Sequence, residues 1–309
     1  MIELTNLRKE FDDLVAVENL TLSISSGEIY GLIGPNGAGK TTTIRMMCGL
    51  LEPTQGKVRV AGIDVLGEPE RARQYIGYLS DFFSVYEYLK VWEYLDYFAH
   101  AYKMPELEIP VRVSEVIAQA GLEVKRDDMI RGLSRGMKQR LGIARAMIHR
   151  PKVLVLDEPA SGLDPKARIE LRNLLRSARE EGATILISSH ILTELEGFCT
   201  SIGIMEKGRL VRSGRLEEVM LAATPTRTVR LQWLGEGRAQ IEARLGPLAT
   251  VSEMKLSENE GEFIFSGSDN ELSQALADLI TSGARILSFR EVKQTVEEMY
   301  MKLSTHEVM

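Results

Sequence analysis

The sequence predicts two folded units: a large α/β unit built around a mostly parallel sheet, followed by a smaller α+β unit. The chain has 309 residues, a length that suits about two domains. From Met1 to about Leu221, short apolar runs alternate with amphipathic stretches, which is typical of strands and helices stacked on a parallel sheet. The composition changes after Ala222. We therefore predict one unit over residues 1–222 and a second over residues 223–309.

The composition excludes several classes of protein. Hydrophobic residues make up 44% of the chain and charged residues 27%, so the sequence is too apolar for a disordered protein. Lysine and arginine total 38 against 44 acidic residues, a net charge of -6, so no nucleic-acid partner is expected. The 2 cysteines, Cys48 and Cys199, sit among apolar neighbours, and we expect unpaired core thiols in a reducing cytosol.

The sequence also predicts a chain that does not cross a membrane itself. No apolar run approaches the roughly 18 residues that span a bilayer. The first residues, MIELTNLRKEF, lack the basic and then apolar profile of a secretory signal. We expect a cytoplasmic protein that would serve a membrane process only through a partner chain.

Three apolar runs predict buried strands of the sheet, and one helix between them has clear ends. The strands are EIYGLIG at Glu28–Gly34, KVLVLD at Lys152–Asp157 and ATILISS at Ala183–Ser189. Between the last two, Asp164 suits the N-cap of a helix and Pro165 its first position, while Gly182 ends it. The order strand, helix, strand is the repeating unit of a parallel sheet.

A glycine-rich loop follows the first of these strands and precedes a helical stretch at Thr41–Leu50. The loop, GPNGAGKTT, comprises Gly34, Pro35, Asn36, Gly37, Ala38, Gly39, Lys40, Thr41 and Thr42. Glycines let the backbone fold around phosphates and aim successive amides at their oxygens. Lys40 supplies a charge to the β- and γ-phosphates, and Thr41 supplies a hydroxyl to magnesium. The loop predicts a site for a nucleoside triphosphate and Mg²⁺.

Two adjacent acids end the strand of VLVLDEPASGLD, at 153–164. Asp157 stands at the strand terminus, where it can hold magnesium through water. The side chain of Glu158, one residue further on, points in a different direction from that of Asp157 and is placed to polarise an attacking water molecule. In a chain that also has a phosphate loop, this pair predicts nucleotide hydrolysis.

The segment LSRGMKQRLGIARAM, at Leu133–Met147, resembles the signature motif of ATP-binding cassette (ABC) ATPases, usually written LSGGQ. The phosphate loop, the acid pair, SGLD at Ser161–Asp164 and SSH at Ser188–His190 follow the order of that family across about residues 1–220. The resemblance implies a P-loop nucleoside triphosphate hydrolase fold with a helical subdomain at about 82–150. It also implies ATP and Mg²⁺ as ligands.

The resemblance assigns roles to further residues. Phe11 occupies the place of an aromatic that stacks on adenine, with Val17 beside it. Ser134 and Gly136 would begin a helix whose positive end faces the γ-phosphate of ATP held by a second copy or a homologous subunit. The active site would therefore be shared between two chains.

His190 would contact the γ-phosphate and act in catalysis, and Asp164 would couple the two sites.

Three positions depart from the family pattern. Asp81 stands where a glutamine normally contacts magnesium and the nucleophilic water, and Arg135 and Met137 replace the usual glycine and glutamine of the signature. We expect Asp81 to coordinate the metal.

After the linker TPTR at Thr224–Arg227, the pattern predicts a small domain of βαββαβ order with a closing helix, a ferredoxin-like arrangement. Its predicted strands are Thr228–Trp233, Val251–Leu256, Glu262–Ser266 and Ala284–Phe289, and its predicted helices are Arg238–Leu245, Glu271–Ser282 and Thr295–Leu303. A signature with RGM at residues 135–137, followed by this second domain, looks like the separate ATPase subunits of multicomponent bacterial or archaeal ABC exporters.

The segment Phe82–Tyr102 is rich in aromatic residues. One helical stripe of it, formed by Leu89, Trp92, Leu95 and Phe98, is expected to be core. This core stripe does not include Phe83, Tyr86 and Tyr88, so we expect these three side chains on the surface. Exposed aromatic residues grouped in this way are typical anchors for a partner. In the ABC family, the matching region receives a short cytoplasmic helix of the membrane subunit.

These features favour an ATPase that powers an exporter whose membrane-spanning permease is a separate chain, with this subunit peripheral on the cytoplasmic face of the membrane. The alternative is a soluble ABC ATPase that acts on the ribosome or DNA, although a single cassette without basic excess counts against it. A third reading is a small-molecule sensor in residues 224–309. A GTPase is disfavoured because no NKxD-type segment that reads guanine is present.

Overall fold

The computed structural model describes residues 1–191, 195, 198–216, 218–219 and 227–292. The chain divides into two compact units, Met1–Leu216 and Glu217–Met309. The predicted boundary after residue 222 and the predicted closing helix at 295–303 lie outside the described residues. Within the described part of the chain, no helix combines the length and apolar character that a membrane span requires.

The first unit alternates strands and helices along the chain, as the apolar runs predict. Its strands are β1 (Ile2–Phe11), β2 (Leu14–Ile24), β3 (Ile29–Ile33), β4 (Gln55–Val60), β5 (Ile63–Asp64), β6 (Ile76–Leu79), β7 (Val153–Leu156), β8 (Thr184–Ser189), β9 (Ser201–Glu206) and β10 (Arg209–Arg215). Its described helices are α1 (Lys40–Met47), α2 (Pro69–Arg73), α3 (Val91–Ala101), α4 (Ile109–Gln119), α5 (Arg135–Met147) and α6 (Pro165–Glu180).

Two sheets form the first unit. The larger has the strand order β10-β9-β3-β8-β7-β6, and all its pairs are parallel except β10 with β9. The smaller is antiparallel, with the order β2-β1-β4-β5. Because β3, β8 and β7 are adjacent and parallel, the segments that follow them emerge at one edge of the sheet. That edge brings together the phosphate loop, the acid pair and the SSH segment.

The helix predicted between β7 and β8 forms where its caps indicate. The side chain of Asp164 accepts a hydrogen bond from the amide of Ala167, and Pro165 is the first helical residue. Gly182 lies two residues beyond the last helical residue, with φ of +99°. The helix buries Ala167, Leu171, Leu174, Leu175 and Ala178. Local capping and one apolar stripe therefore account for this helix.

The aromatic segment packs differently from the prediction. Helix α3 buries Val91, Tyr94, Leu95 and Ala99, whereas Leu89, Trp92 and Phe98 are only half-buried. Phe83 is also half-buried, because its ring lies against Gly142 of α5, where an added Cβ would be 2.7 Å from Phe83 Cε2. The expectation of an exposed Phe83 was wrong, while Tyr86 and Tyr88 are 53% and 79% exposed.

The second unit contains a four-stranded antiparallel sheet and two described helices. Its elements are β11 (Arg227–Leu234), α7 (Arg238–Leu245), β12 (Val251–Leu256), β13 (Glu260–Phe265), α8 (Asp269–Thr281) and β14 (Arg285–Val292). The strand order is β12-β13-β11-β14. Its core is a separate cluster that includes Val229, Trp233, Phe263 and Phe265. This unit therefore buries its own apolar face.

Candidate nucleotide site

The phosphate loop curls around its own lysine. Helix α1 begins at Lys40, and its N-cap Gly39 has φ of +99°. A Cβ at Gly39 would lie 2.5 Å from the carbonyl oxygen of Ala16, so this position requires glycine. The buried Lys40 ammonium donates hydrogen bonds of 2.7 Å to the carbonyl of Gly34 and 3.2 Å to that of Pro35. The loop thus forms a closed turn at the start of a helix, a geometry that suits an anion.

A cleft of about 540 Å³ opens beside this loop. Of the predicted site residues, its lining includes Phe11, Asn36, Gly37, Ala38, Gly39, Lys40, Thr41, Thr42, Asp81 and Glu158. Leu14, Val15, Ala16 and Lys207 line it as well. The volume suits a small-molecule ligand of nucleotide size.

At one end of the cleft, Phe11 is 43% exposed and the Lys9 ammonium lies 5.0 Å from the centroid of its ring. Val17, predicted beside it, is fully buried in the core. Val15 and Ala16 line the cleft in its place. Val17 is thus packed in the core and absent from the cleft lining, and its contact with a nucleotide stays a prediction.

Asp157 directly follows β7 and is 1% exposed. The hydroxyl of Ser188 donates a 2.6 Å hydrogen bond to Asp157 Oδ1 and accepts one of 2.9 Å from the amide of Glu158. One serine therefore holds both acids. Sequence reasoning assigned no role to Ser188, although the SSH segment contains it.

Glu158 connects the phosphate loop to His190. Its Oε1 lies 3.4 Å from Lys40 Nζ, and its Oε2 lies 2.7 Å from His190 Nδ1. The backbone of Glu158 has φ of +49°, a conformation uncommon for a residue with a side chain. The fold thus brings together the lysine, the predicted general base and the predicted catalytic histidine.

Asp81 joins the same group of charges from the loop after β6. Burial raises the pKa of its carboxyl above the ordinary value, and the nearby Asp157 and Glu158 raise it further. Arg135 and His190 act in the opposite direction. Among the described residues, no three acids, histidines or cysteines are grouped closely enough to hold a metal ion by themselves. Mg²⁺ is usually bound by one or two carboxylates together with the phosphates of a substrate, so a cation at Asp81 would also need a bound nucleotide.

The signature residues are not in the cleft of their own chain. Ser134 caps α5 by accepting a hydrogen bond of 3.3 Å from the amide of Met137, and its side chain is exposed. Gly136 faces α6, where an added Cβ would lie 2.8 Å from the Cβ of Ala167. Asp164 caps α6 close by. These three residues therefore form a second group: Ser134, Gly136 and Asp164. None of them is in the cleft lining, which contains residues of the phosphate loop.

The residues present fit a magnesium nucleotide. The phosphate loop leaves no room for a Cβ at Gly39, and Lys40, with its positive charge, sits within it. Carboxylate and hydroxyl oxygens, the donors that Mg²⁺ prefers, are supplied by Asp157, Asp81 and Thr41. Thr41 and Asp81 line the cleft, while the buried Asp157 is tied to the neighbouring Glu158 through Ser188.

Comparison with known proteins identifies the family of this cassette. The family model for the ABC transporter matches residues 17–161. The Nod factor export ATP-binding protein I of Cupriavidus metallidurans (strain ATCC 43123 / DSM 2839 / NBRC 102507 / CH34) is 32% identical over 308 residues, which cover 100% of this chain and 98% of that protein. Similarity to that relative therefore extends through both units.

Two further similarities are limited to the first part of the chain. The probable multidrug ABC transporter ATP-binding protein YbhF of Escherichia coli (strain K12) is 38% identical over 219 residues, or 71% of this chain and 38% of that longer protein. The dimeric post-hydrolysis structure of the ATP-binding cassette MJ0796, bound to ADP and Pi, is 27% identical with a TM-score of 0.63, covering 70% of this chain and 99% of that one. The chain therefore belongs to the ABC transporter family and carries the ATPase domain of that family.

Proposed function

We propose that this chain is the ATP-binding and ATP-hydrolysing subunit of an ABC exporter whose permease is a separate chain. Two copies, or one copy and a homologous subunit, close around ATP. The observation that carries this proposal is the separation of two groups: Lys40 and Glu158 line the cleft, whereas Ser134 and Gly136 lie outside it. The second group has a ligand only if a facing chain presents one.

The cleft supports in-line hydrolysis of the γ-phosphate. Lys40 exchanges its contacts with loop carbonyls and Glu158 for contacts with phosphate oxygens, because a phosphate is the stronger partner for a buried ammonium. Glu158 is then free to orient and polarise the attacking water. His190, held by Glu158, stands ready to contact the γ-phosphate.

Mg²⁺ would be held by Thr41 and Asp157, with Asp81 as a further ligand. When bound, the ion neutralises charge on the phosphates. Ser188 keeps the Asp157 carboxylate oriented through its 2.6 Å hydrogen bond. The cofactor assignment rests on this donor set and on the family.

The exporter assignment is supported by the relative from Cupriavidus metallidurans, which is named for Nod factor export and matches this chain over nearly its full length. We propose that the chain lies in the cytoplasm, bound to the membrane through its permease. The docking surface would be formed by exposed aromatics, of which Phe82 is 92% and Tyr88 79% exposed. Exposed aromatic groups of this kind anchor protein partners.

We further propose that the second unit is a ferredoxin-like accessory domain. Its element order is strand, helix, strand, strand, helix, strand, and its first strand lies at the centre of the sheet beside the last. One face of its sheet is covered by helices, and the other carries the ion pair of Arg230 and Glu262. The second face could serve as a contact with a partner or as a ligand-sensing surface.

The decisive experiment is affinity purification of the tagged Glu158→Gln variant from solubilised membranes with ATP and Mg²⁺. Slowed hydrolysis should preserve the ATP-bound dimer and its partner. We expect a polytopic membrane protein to co-purify. Lys40→Ala, which should bind little ATP, serves as the control. Recovery of ribosomes or DNA in place of a membrane protein would support the soluble alternative.

The docking surface is tested by replacing both Phe82 and Tyr88 with serine. Both side chains project into solvent, so the fold and ATP binding should be retained. Capture of the membrane partner should fall. Leu107→Ser, a change at a residue that is 94% exposed and lies outside the aromatic segment, is the matched control. Normal capture by the double variant would refute this docking site.

A further inference from the structure

Arg135 links two segments that lie outside the nucleotide cleft of their own chain. It is the first residue of α5, directly after the N-cap Ser134. Its Nη2 donates a hydrogen bond of 2.9 Å to the carbonyl oxygen of Ser161, in the turn that leads into α6. A side chain therefore ties the start of α5 to the turn before α6.

The turn at residues 161–164 contains a glycine that leaves space for the guanidinium of Arg135. Gly162 has φ of +66°, and a Cβ at this position would lie 2.5 Å from Cζ, Nη1 and Nη2 of Arg135. Any side chain at residue 162 would displace the group. The planar guanidinium thus rests directly on the backbone of Gly162, an arrangement that lysine cannot reproduce.

Packing of the next residue reinforces this link. An added Cβ at Gly136 would lie 2.8 Å from the Cβ of Ala167. The amide of Ala167 donates a 2.9 Å hydrogen bond to Asp164 Oδ1. The start of α5 is therefore held against the same turn of α6 that Asp164 caps.

The charge of Arg135 also bears on the cleft. The guanidinium attracts the carboxylate of Asp81, although burial has the larger effect on that group. Asp81 and Arg135 are both departures from the family pattern, and each introduces a charge at a position where the family has a neutral residue. In this fold the two charges are opposite and near one another.

We propose that Arg135 is a positioning residue that joins the segment 134–136 to the segment 161–164, so that both meet the facing chain as one surface. The inference rests on the proposed function, because this surface acts only if two copies close around ATP. Segments fixed before association lose less conformational freedom when they bind. Arg135 therefore favours the ATP-bound dimer without touching the ATP of its own chain.

The test is ATP-driven dimerisation of purified protein in the Glu158→Gln background, measured by sedimentation velocity across a concentration series. We expect Arg135→Ala to raise the dimer dissociation constant about tenfold, because each dimer contains two links and an exposed hydrogen bond from a charged group contributes about threefold. ATP binding by the monomer should not change, and the melting temperature should fall by no more than about 3 °C. Arg135→Lys should behave like Arg135→Ala.

Two further variants sharpen the test. Arg71→Ala removes an exposed arginine paired only locally with Glu68 and controls for lost charge. Gly162→Ala should weaken the dimer by displacing the guanidinium, and adding Arg135→Ala should then cause little further loss. Additive losses would refute the link.

The outcomes separate this proposal from the one on which it rests. If the Glu158→Gln parent forms no dimer with ATP, closure of two copies of this chain around ATP is refuted, and the Arg135 proposal fails with it. If the parent dimerises and Arg135→Ala dimerises equally well, the Arg135 proposal alone is overturned. A loss of ATP binding by the Arg135→Ala monomer also overturns it, because the residue would then act through the fold of the cleft.

Discussion

Replacing Ser188 with alanine should damage both stability and turnover, because one buried hydroxyl holds both acids of the site. Ser188 is fully buried. Its hydroxyl donates to Asp157 Oδ1 at 2.6 Å and accepts from the amide of Glu158 at 2.9 Å. The second bond fixes Glu158 at φ of +49°, where non-glycine residues are strained. Ser188→Ala leaves a buried carboxylate oxygen of Asp157 and the partly buried amide of Glu158 without these partners.

The expected size follows from those two bonds. A hydrogen bond to a charged group contributes about 1.5–3 kcal/mol, and an unsatisfied buried amide costs about 1 kcal/mol or more. We expect the unit to lose about 3 kcal/mol of unfolding free energy. For a unit of about 200 residues this lowers the melting temperature by roughly 6–12 °C. Turnover should fall at least about tenfold, because Glu158 loses its fixed orientation toward the attacking water.

Differential scanning calorimetry measures the first effect and steady-state phosphate release the second. The transition that ATP shifts identifies the nucleotide-binding unit, since a ligand stabilises the unit that binds it. Ser114→Ala, at an exposed serine, should stay within about 0.5 kcal/mol of the parent. Ser188→Cys, which keeps a weak donor, should be intermediate. A Ser188→Ala protein that melts and hydrolyses ATP like the parent would refute the role assigned to this hydroxyl.

Three further predictions concern the charged groups. Lys40→Ala should abolish most ATP binding, whereas Glu158→Gln should retain binding, lose turnover and accumulate dimer; equal loss of nucleotide in titrations of both would contradict their separate roles. Asp81→Ala should raise the Mg²⁺ concentration for half-maximal hydrolysis more than the ATP requirement, and an unchanged Mg²⁺ curve would exclude Asp81 as a ligand. Burial lowers the pKa of His149 from 6.5 to about 4, so the unfolded chain takes up the proton first. The stability contributed by this group is complete above about pH 6.5 and falls as the pH drops toward 4. The total loss is about 3 kcal/mol once both states are protonated. His149→Phe should show less of this loss in denaturation at pH 7 and pH 4.5, and an identical loss would contradict the assignment.

Much of the site was predictable because its residues are fixed by local structure at the ends of parallel strands. The phosphate loop follows β3, the acids follow β7 and the SSH segment ends β8. Parallel strands place their carboxyl ends at one edge, so sequence order alone indicated that these segments meet. The caps of α6 were equally local, since Asp164 and Ala167 are only three residues apart.

Other features depended on packing between segments distant in the sequence. A register shift between Lys9 and Glu10 places one additional residue in β2 between their partners Val17 and Val15, and such a bulge changes which side chain faces the cleft. Val17 is therefore buried, and Val15 lines the site. No alternation pattern in β2 alone reveals that shift.

The aromatic segment was misjudged for a related reason. A helical stripe gives the spacing of core residues, but the rotation of α3 about its own axis is set by its neighbours. Phe83 is covered because Gly142, on a different helix, leaves space for its ring. Burial of a side chain outside a regular element depends on such a partner.

The sequence by itself determined the family, the nucleotide loop, the acid pair and the order of strands and helices, because each depends on residues adjacent in the chain. Only the tertiary structure decided that Ser188 holds both acids, that Lys207 reaches the cleft, and that Arg135 rests on Gly162. The residues of these contacts are between 27 (Arg135 and Gly162) and 196 positions apart (Phe11 and Lys207). The interaction energy of such a pair depends on a distance that the chain order does not specify.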